Sequence, residues 1–335
     1  MSLSIARTVY TGILLLLAAA APAFATLERV KVGTASITAS TLPLWIAEEQ
    51  GIFRKYEIDS QTILIRGGPT MLASLVTGDV QVSYTTGVPF LGAAAAGNQF
   101  KMLSCISDKN SWKLIALPAI KKASDLHGKR IGVQTVVGST WMNSMLALEQ
   151  LGLDPKRDHI TFMPTGDPIT MARALEAGRI DAAVLDPTSS RQLTGKGFTL
   201  LVDLYKANVY FPGLGVGVTQ SYLDRHGATV EKVVAGLTES LAFILQPMNK
   251  TVVLKSLMKN MKTKDAAAVE EGYQDQILTL NRKPYPSLEG LRNAQRLMAL
   301  QNPKIAAVKI EDLVEPRFVR KLDESGFIDR LYPAK

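Results

Sequence analysis

The chain of 335 residues has one cysteine and three histidines. After its N-terminal stretch it has no long apolar run. Cys105 alone allows no internal disulfide, and between Leu103 and Ile106 it reads as a small buried hydrophobe. His127, His159 and His226 are far apart, and none has a histidine or cysteine at ligand spacing. A metal site, a Cys–His nucleophile and a cofactor are therefore not expected. The 38 Lys and Arg are scattered among 30 Asp and Glu, for a formal net charge of +8. With no basic tract, RNA-binding aromatic signature or zinc-finger spacing, nucleic acid is not an expected partner. A scattered basic surface is ordinary solvation, and it also suits an anionic ligand.

What is present begins with a leader pattern. Arg7 is the only charge before Glu28, residues 9–21 are largely apolar, and Ala23-Phe24-Ala25 offers small residues at the positions a signal peptidase reads. The run falls short of the roughly 20 apolar residues of a membrane span. Cleavage after Ala25 and export to the periplasm are expected, with a soluble, monomeric mature chain. About 310 residues remain (335 minus 25), enough for two domains.

The stretch from Lys129 to Leu153 organises the rest. Ile131-Gly132-Val133 reads as a strand and residues 137–140 as a small, hydroxyl-rich loop. Trp141, Met145 and Leu148 then mark a helix that Gly152 stops. The same order occurs earlier: a strand at 30–34, a loop at 35–41 and a helix at 42–50 containing Pro43 and ending at Gly51. A strand at 60–65, Gly67-Gly68-Pro69, a helix at 70–77, Gly78 and a strand at 79–84 follow. Gly33 and Gly132 are 99 residues apart (132 minus 33), as are Ser40-Thr41 and Ser139-Thr140, and Gly68-Pro69 and Asp167-Pro168. Asp79-Val80-Gln81-Val82 is matched by Arg179-Ile180-Asp181-Ala182. Two copies make two α/β lobes rather than a solenoid. In open α/β sheets the ligand lies beyond the carboxyl ends of the strands, beside helix starts, so two such lobes would enclose one between matching loops.

Further strands are expected at 113–117, 197–203 and 214–218. Helices are expected at 229–245, 250–260, 263–280 and 287–300, punctuated by Pro247, Pro284, Pro286 and Pro303. The simplest path returns the chain to the first lobe near Leu214. The lobes are then 26–111 with 214–335, and 112–213, with crossovers near 108–112 and 210–214 as a hinge.

Four segments carry a resemblance. Leu42-Pro43-Leu44-Trp45-Ile46-Ala47-Glu48-Glu49-Gln50-Gly51-Ile52-Phe53 is one, and Gly67-Gly68-Pro69 with Leu72, Leu75 and Gly78-Asp79-Val80 is the second. The third is Asp125-Leu126-His127-Gly128-Lys129-Arg130-Ile131-Gly132-Val133, with His127 where lysine is usual, and the fourth runs from Ala174 to Ala183. In this order they resemble the NMT1/THI5-like family, which includes solute-binding proteins of nitrate, taurine and aliphatic-sulfonate ABC importers. The resemblance implies a two-lobed type II periplasmic-binding-protein fold, a cleft that closes on a small-molecule ligand, and an inner-membrane permease as partner. One enzymatic branch uses a histidine and a cysteine-rich motif, which this chain lacks.

Candidate ligand contacts lie loop by loop. They are Ser40 and Thr41; Gly67, Gly68 and Pro69; Tyr84, Thr85 and Thr86; Gly138, Ser139 and Thr140; Thr165, Gly166 and Asp167; and Asp186. Hydroxyls and free N–H groups at helix starts suit an anionic or strongly polar group. Ser139 and Thr140 read equally as helix caps, and Asp167 reads first as a cap. Trp112 and Phe211 are candidate aromatic walls for an organic ligand. Trp141 fits such a wall or core packing, Trp45 lies on an inward-facing helical stripe and reads as core, and Arg66 fits the cleft edge or a solvated surface. Asp186 would oppose an anion unless paired.

The reading is a solute-binding component of an ABC importer, not an enzyme. Two alternatives stand beside it: an enzyme on the same scaffold (thiamine-pyrimidine-synthase-like or hydrolytic), and a ligand-sensing partner of a membrane receptor. Expression of the whole chain in a Gram-negative host should release a periplasmic product whose mass and N-terminal sequence begin at Thr26. A product that keeps residues 1–25 contradicts the leader.

Overall fold

The computed structural model describes residues 27–35 and 37–332; the expected leader lies outside them. Strand β1 (Glu28–Thr34) leads through a 3-10 turn (Ala39–Thr41) into α1 (Leu42–Glu49), α2 (Ile52–Lys55) and β2 (Ile58–Leu64). Helix α3 (Gly68–Thr77), β3 (Val82–Thr85), α4 (Val88–Ala95) and β4 (Phe100–Met102) follow. The second set is β5 (Lys113–Ala116), β6 (Arg130–Val133), α5 (Ser139–Gln150), β7 (Thr161–Pro164), α6 (Pro168–Glu176), β8 (Ala182–Leu185), α7 (Pro187–Gly195) and β9 (Thr199–Asp203). Then come β10 (Gly215–Thr219), α8 (Gln220–Leu245), α9 (Lys250–Asn260), α10 (Ala266–Thr279), α11 (Leu288–Ala299), α12 (Arg317–Glu324) and α13 (Phe327–Arg330).

The strands form two five-stranded sheets, β2-β1-β3-β10-β4 and β7-β6-β8-β5-β9. In each, the strand that opens a repeat lies between two parallel partners: β1 between β2 and β3, β6 between β7 and β8. In each, an antiparallel strand sits beside that triplet: β10 on β3, β5 on β8. This is the two-lobed α/β arrangement. The repetition extends to single hydrogen bonds. Ile65 N–H donates to Thr34 O at 2.8 Å, as Thr165 N–H donates to Val133 O at 2.8 Å. Lys31 N–H donates to Gln81 Oε1 at 2.9 Å, as Arg130 N–H donates to Asp181 Oδ2 at 2.8 Å. Gly78 and Gly178 end their helices with φ of 79° and 66°, the left-handed backbone that glycine tolerates best.

Side-chain alternation divides the core. On β5, Leu114 and Ala116 point to one buried cluster and Ile115 to another, the period of two that a strand imposes. The first sheet packs Val30, Val32, Val82 and Val218 against α1, α8, α9 and α12. A small cluster covers one face of the second sheet with Met171, Leu175 and Leu193. The remaining faces of both sheets share one cluster, bridged by Leu291, Ala294 and Leu297 of α11. Each fully buried Leu, Ile or Val adds about 1.5–3 kcal/mol. Helix α8 starts nine residues before the sequence pattern indicates, because a non-helical backbone at His226 (φ −128°, ψ 32°) breaks the periodicity there.

The crossovers run side by side. Asn110 N–H donates to Val209 O, and Phe211 N–H to Asp108 O, both at 3.0 Å. The segment after α10 clamps them: Asn281 N–H donates to Ile106 O at 2.7 Å, and its amide reaches Asp108 at 3.1 Å. Asn110 also donates to Asn143 on α5 at 2.9 Å, in a buried position. Cys105 is buried here; burial pushes its thiol up to about 12.

The chains approach so closely that a Cβ on Gly213 would run into the Ser107 carbonyl oxygen, a backbone atom that cannot swing aside. Gly213→Ala should lower stability by about 1–3 kcal/mol, as overpacking does. Gly227→Ala, in a helix with open space around it, should be neutral or raise stability by about 0.4–1 kcal/mol. Thermal melts of both variants test this; equal melting temperatures contradict it.

Candidate functional site

Parallel strands with helices after them leave helix starts gathered at one end of each sheet. Here the loops after β1, β2 and β3 and those after β6, β7 and β8 meet between the lobes. Thr86 Oγ1 and Ser139 Oγ stand 3.3 Å apart, one hydroxyl from each lobe. That is longer than a tight hydroxyl bond, so it is a loose seam. A Cβ on Gly272 of α10 would lie 3.5 Å from Ala39 Cβ and 3.6 Å from Thr188 Oγ1. At Gly272, α10 therefore passes close to both the first-lobe loop and the α7 start, leaving room for little more than a methyl group. Asp167 is held below the usual carboxylate range, first by the Thr170 N–H, against an opposing effect of burial. The Arg66 charge of the other lobe contributes as well.

The starts differ in how their N–H groups are met. Asp167 accepts from Thr170 N–H at 2.9 Å, and Asp186 accepts from Ser189 N–H at 3.0 Å and from its hydroxyl at 2.6 Å. Both are caps, and the Asp186 charge is thereby partnered. Helix α5 begins after Gly138 (φ −83°, ψ 175°), which provides no side-chain cap. Its first N–H groups have no partner within an α-helical ladder. A Cβ on Gly138 would collide with the Thr135 side chain.

The other candidates fall into supporting positions. The Tyr84 ring is fully buried, its phenol pushed well above its ordinary value by burial, and its hydroxyl donates to Ser40 O at 2.9 Å. It acts on the site through Ser40. The Ser40 hydroxyl pairs with that of Thr38 at 2.7 Å. Thr41 and Thr85 are buried, Thr85 paired with Gly215 across the sheet. Thr140 is buried, and its hydroxyl accepts from Gln134 N–H at 2.8 Å, which shapes the loop. Thr165 spends its hydroxyl on Met163 O at 2.8 Å. Gly67 is exposed with φ 90°, and a Cβ on Gly68 would press on Pro89 at 2.9 Å.

The aromatic candidates lie against the core to different degrees. Phe211 is 6% exposed and belongs to the core shared with Leu291 and Trp141, so packing occupies the ring. Trp112 is half-buried against the same cluster. Trp141 is core, edge-on to Phe162 with ring centroids 6.0 Å apart. The facing of loops is revised too: Ser139 meets Thr86, from the loop after β3, while Ser40 is tied to Tyr84. Sequence patterns did not indicate Gly272, Arg191, Glu271 or Asp275 at the lobe junction. The spacing of Glu271 and Asp275, one helical turn apart, was a readable sign of a common face.

Two hollows lie elsewhere. One, of about 400 Å³, is lined by Asp108, Tyr210 and residues 281–283 and 285–289; the other, of about 560 Å³, lies between α8 and α12. Neither is lined by the interlobe loops. Among the described residues no group of His, Cys, Asp or Glu could hold a metal ion, and no helix is long and apolar enough to cross a membrane.

Comparison with known proteins agrees with this construction. A protein of Escherichia coli (strain K12), provisionally named an aliphatic sulfonates-binding protein, is 28% identical over 192 residues, 56% of this chain and 58% of that one. The match therefore spans little more than half of that relative. The structure of the periplasmic aliphatic sulphonate binding protein SsuA from Escherichia coli superposes with a TM-score of 0.68 at 21% identity, covering 86% of this chain and 92% of that one. The desulfurization enzyme DszB shares the fold at a TM-score of 0.62 and 16% identity, over 89% of this chain and 99% of that one. The fold is thus common to binding proteins and an enzyme. Residues 25–258 match the model of the NMT1-like family, well over half of the chain, and the protein belongs to that family.

Proposed function

We propose that this protein is the periplasmic solute-binding component of an ABC importer. It takes a small organic ligand, anionic or strongly polar, between lobes 27–111 with 214–332 and 112–213, and passes it to a membrane permease. The observation that carries the reading is the seam at Ser139. There a helix start without a side-chain cap meets a hydroxyl of the opposite lobe at 3.3 Å. An oxyanion placed there accepts from the first N–H groups of α5 and from hydroxyls of both lobes at once. Only the closed arrangement satisfies all of these, so ligand shifts the lobes toward closure. The sulfonate-binding relatives support an alkanesulfonate as the first ligand class to try.

The placing of the chain's cysteine and of one histidine supports capture without covalent chemistry. Cys105 is buried at the crossovers, with its thiol raised to about 12. His127 pairs with Asp158 at 3.3 Å, on the β6–β7 side away from the seam.

Thermal-shift measurements of the mature protein against alkanesulfonates, carboxylates, aromatic acids and pyrimidines should give one class that raises the melting temperature. At a hundredfold excess over Kd the gain is about 2.7 kcal/mol. Ser139 is the first residue of α5, where proline is tolerated, and Gly138 before it is already extended. Ser139→Pro should therefore melt near the wild type without ligand, yet lose the shift. Binding unchanged in Ser139→Pro would contradict the site, and turnover of the bound compound would contradict the assignment.

A further inference from the structure

The two lobes are joined at two junctions, one built mainly on shared apolar packing and one that is polar. At the first, α11 belongs to an apolar cluster that both lobes share, with an exposed ion pair at its rim, where Arg296 donates to both oxygens of Glu149 on α5 at 2.7 and 2.9 Å. Leu291, Ala294, Leu297 and Met298 pack in the same cluster as Phe90 and Met102 of the first lobe and Trp141, Met142 and Met145 of α5. Apolar packing of this kind does not come apart and re-form cheaply, and it lies beside the paired crossovers.

At the second, α10 meets α7, and among the described residues no apolar cluster spans the junction. Val269 and Tyr273 of α10 pack into the first-lobe core, while Leu193 of α7 packs into the second-lobe core. What crosses is polar. Arg191 Nε donates to Glu271 Oε2 at 2.6 Å, and its two terminal nitrogens donate to both oxygens of Asp275 at 2.9 and 2.7 Å. Glu271 and Asp275 lie one turn apart, so a single guanidinium spans both. Tyr205 of the second lobe adds one bond to Leu278 O at 3.2 Å. Gly272, next to Glu271, is the position where an added Cβ would come into contact with both Ala39 and Thr188 at the site.

We propose that α10 is a strap and Arg191 its latch. The lobes turn about the α11 side and the crossovers, and the α10–α7 side opens and closes by breaking and remaking the Arg191 fork. Water can replace each bond of that fork, so it can release the strap without exposing core. A planar fork on two carboxylates also fixes the register of α10 over the ligand loops in a way a lysine point charge does not. The inference needs only the two lobes, so it stands or falls separately from the transport reading.

The test uses the mature, ligand-free protein with spin labels at Ala73→Cys on α3 and Ala177→Cys just past the end of α6, both exposed. Cys105 is buried and stays unlabelled. Double electron–electron resonance should show the closed population falling about three- to tenfold in Arg191→Ala. Glu271→Gln with Asp275→Asn should produce the same distribution, and combining all three changes should add nothing further. Arg191→Lys should fall between, and 1 M NaCl should shift the wild type the same way. Circular dichroism melts identify which variants remain folded. Should Arg191→Ala not fold, the carboxylate pair variant decides by the same reading. Distance distributions unchanged from wild type in the folded variants overturn the latch. So does additivity between Arg191 and its two partners.

Discussion

A helix that follows a parallel strand starts with N–H groups that its own ladder cannot satisfy. This chain brings six such starts to one gap, three from each lobe. Asp167 and Asp186 close two of them with their own carboxylates. The starts of α3, α4 and α5 are each left to a glycine that has no side chain to offer, and that of α5 is the one whose first residue meets a hydroxyl of the opposite lobe. Thr140 and Tyr84, both buried, hold the surrounding loops by bonds to Gln134 N–H and Ser40 O. The polar groups about the gap thus divide into those that shape it and those that face it, and Ser139 and Thr86 are the pair that face each other.

The same division appears at larger scale. The crossovers and α11 join the lobes through backbone pairing and shared apolar packing, a junction suited to turning without coming apart. The α10–α7 junction is polar and set by Arg191. A protein that must hold a ligand and then release it needs one durable edge and one that water can open. The asymmetry of these two edges matches that requirement, and the identity of the ligand does not enter into it.

Much of the fold was legible in the sequence because local physics dictates it. Alternating valines at 30 and 32, Pro43 in a first turn, and Gly78 and Gly178 at helix ends each mark an element by its own chemistry. The near-constant offset of 99 then revealed two copies, and the repeated bonds at Lys31 and Arg130 are its structural counterpart. What stayed hidden depends on how the copies face each other. The offset pairs Ser139 with Ser40, yet in the folded chain Ser139 meets Thr86. Arg191 and Asp275 are 84 residues apart, and no local pattern joins them. Phe211 looked like a cleft wall because an aromatic at a crossover is ambiguous until the helix that covers it is placed. Helix α8 was read short because the backbone break at His226 interrupts its period.

The central claim is that a ligand is held between the start of α5 and Thr86, by both lobes together. A crystal structure of the mature protein with a compound that raises its melting temperature tests this most directly. The account predicts an anionic or polar group within hydrogen-bond distance of the Ser139 N–H and of both the Ser139 and Thr86 hydroxyls. A ligand seated instead in the hollow beside the crossovers, with the Ser139 seam unchanged, would contradict it.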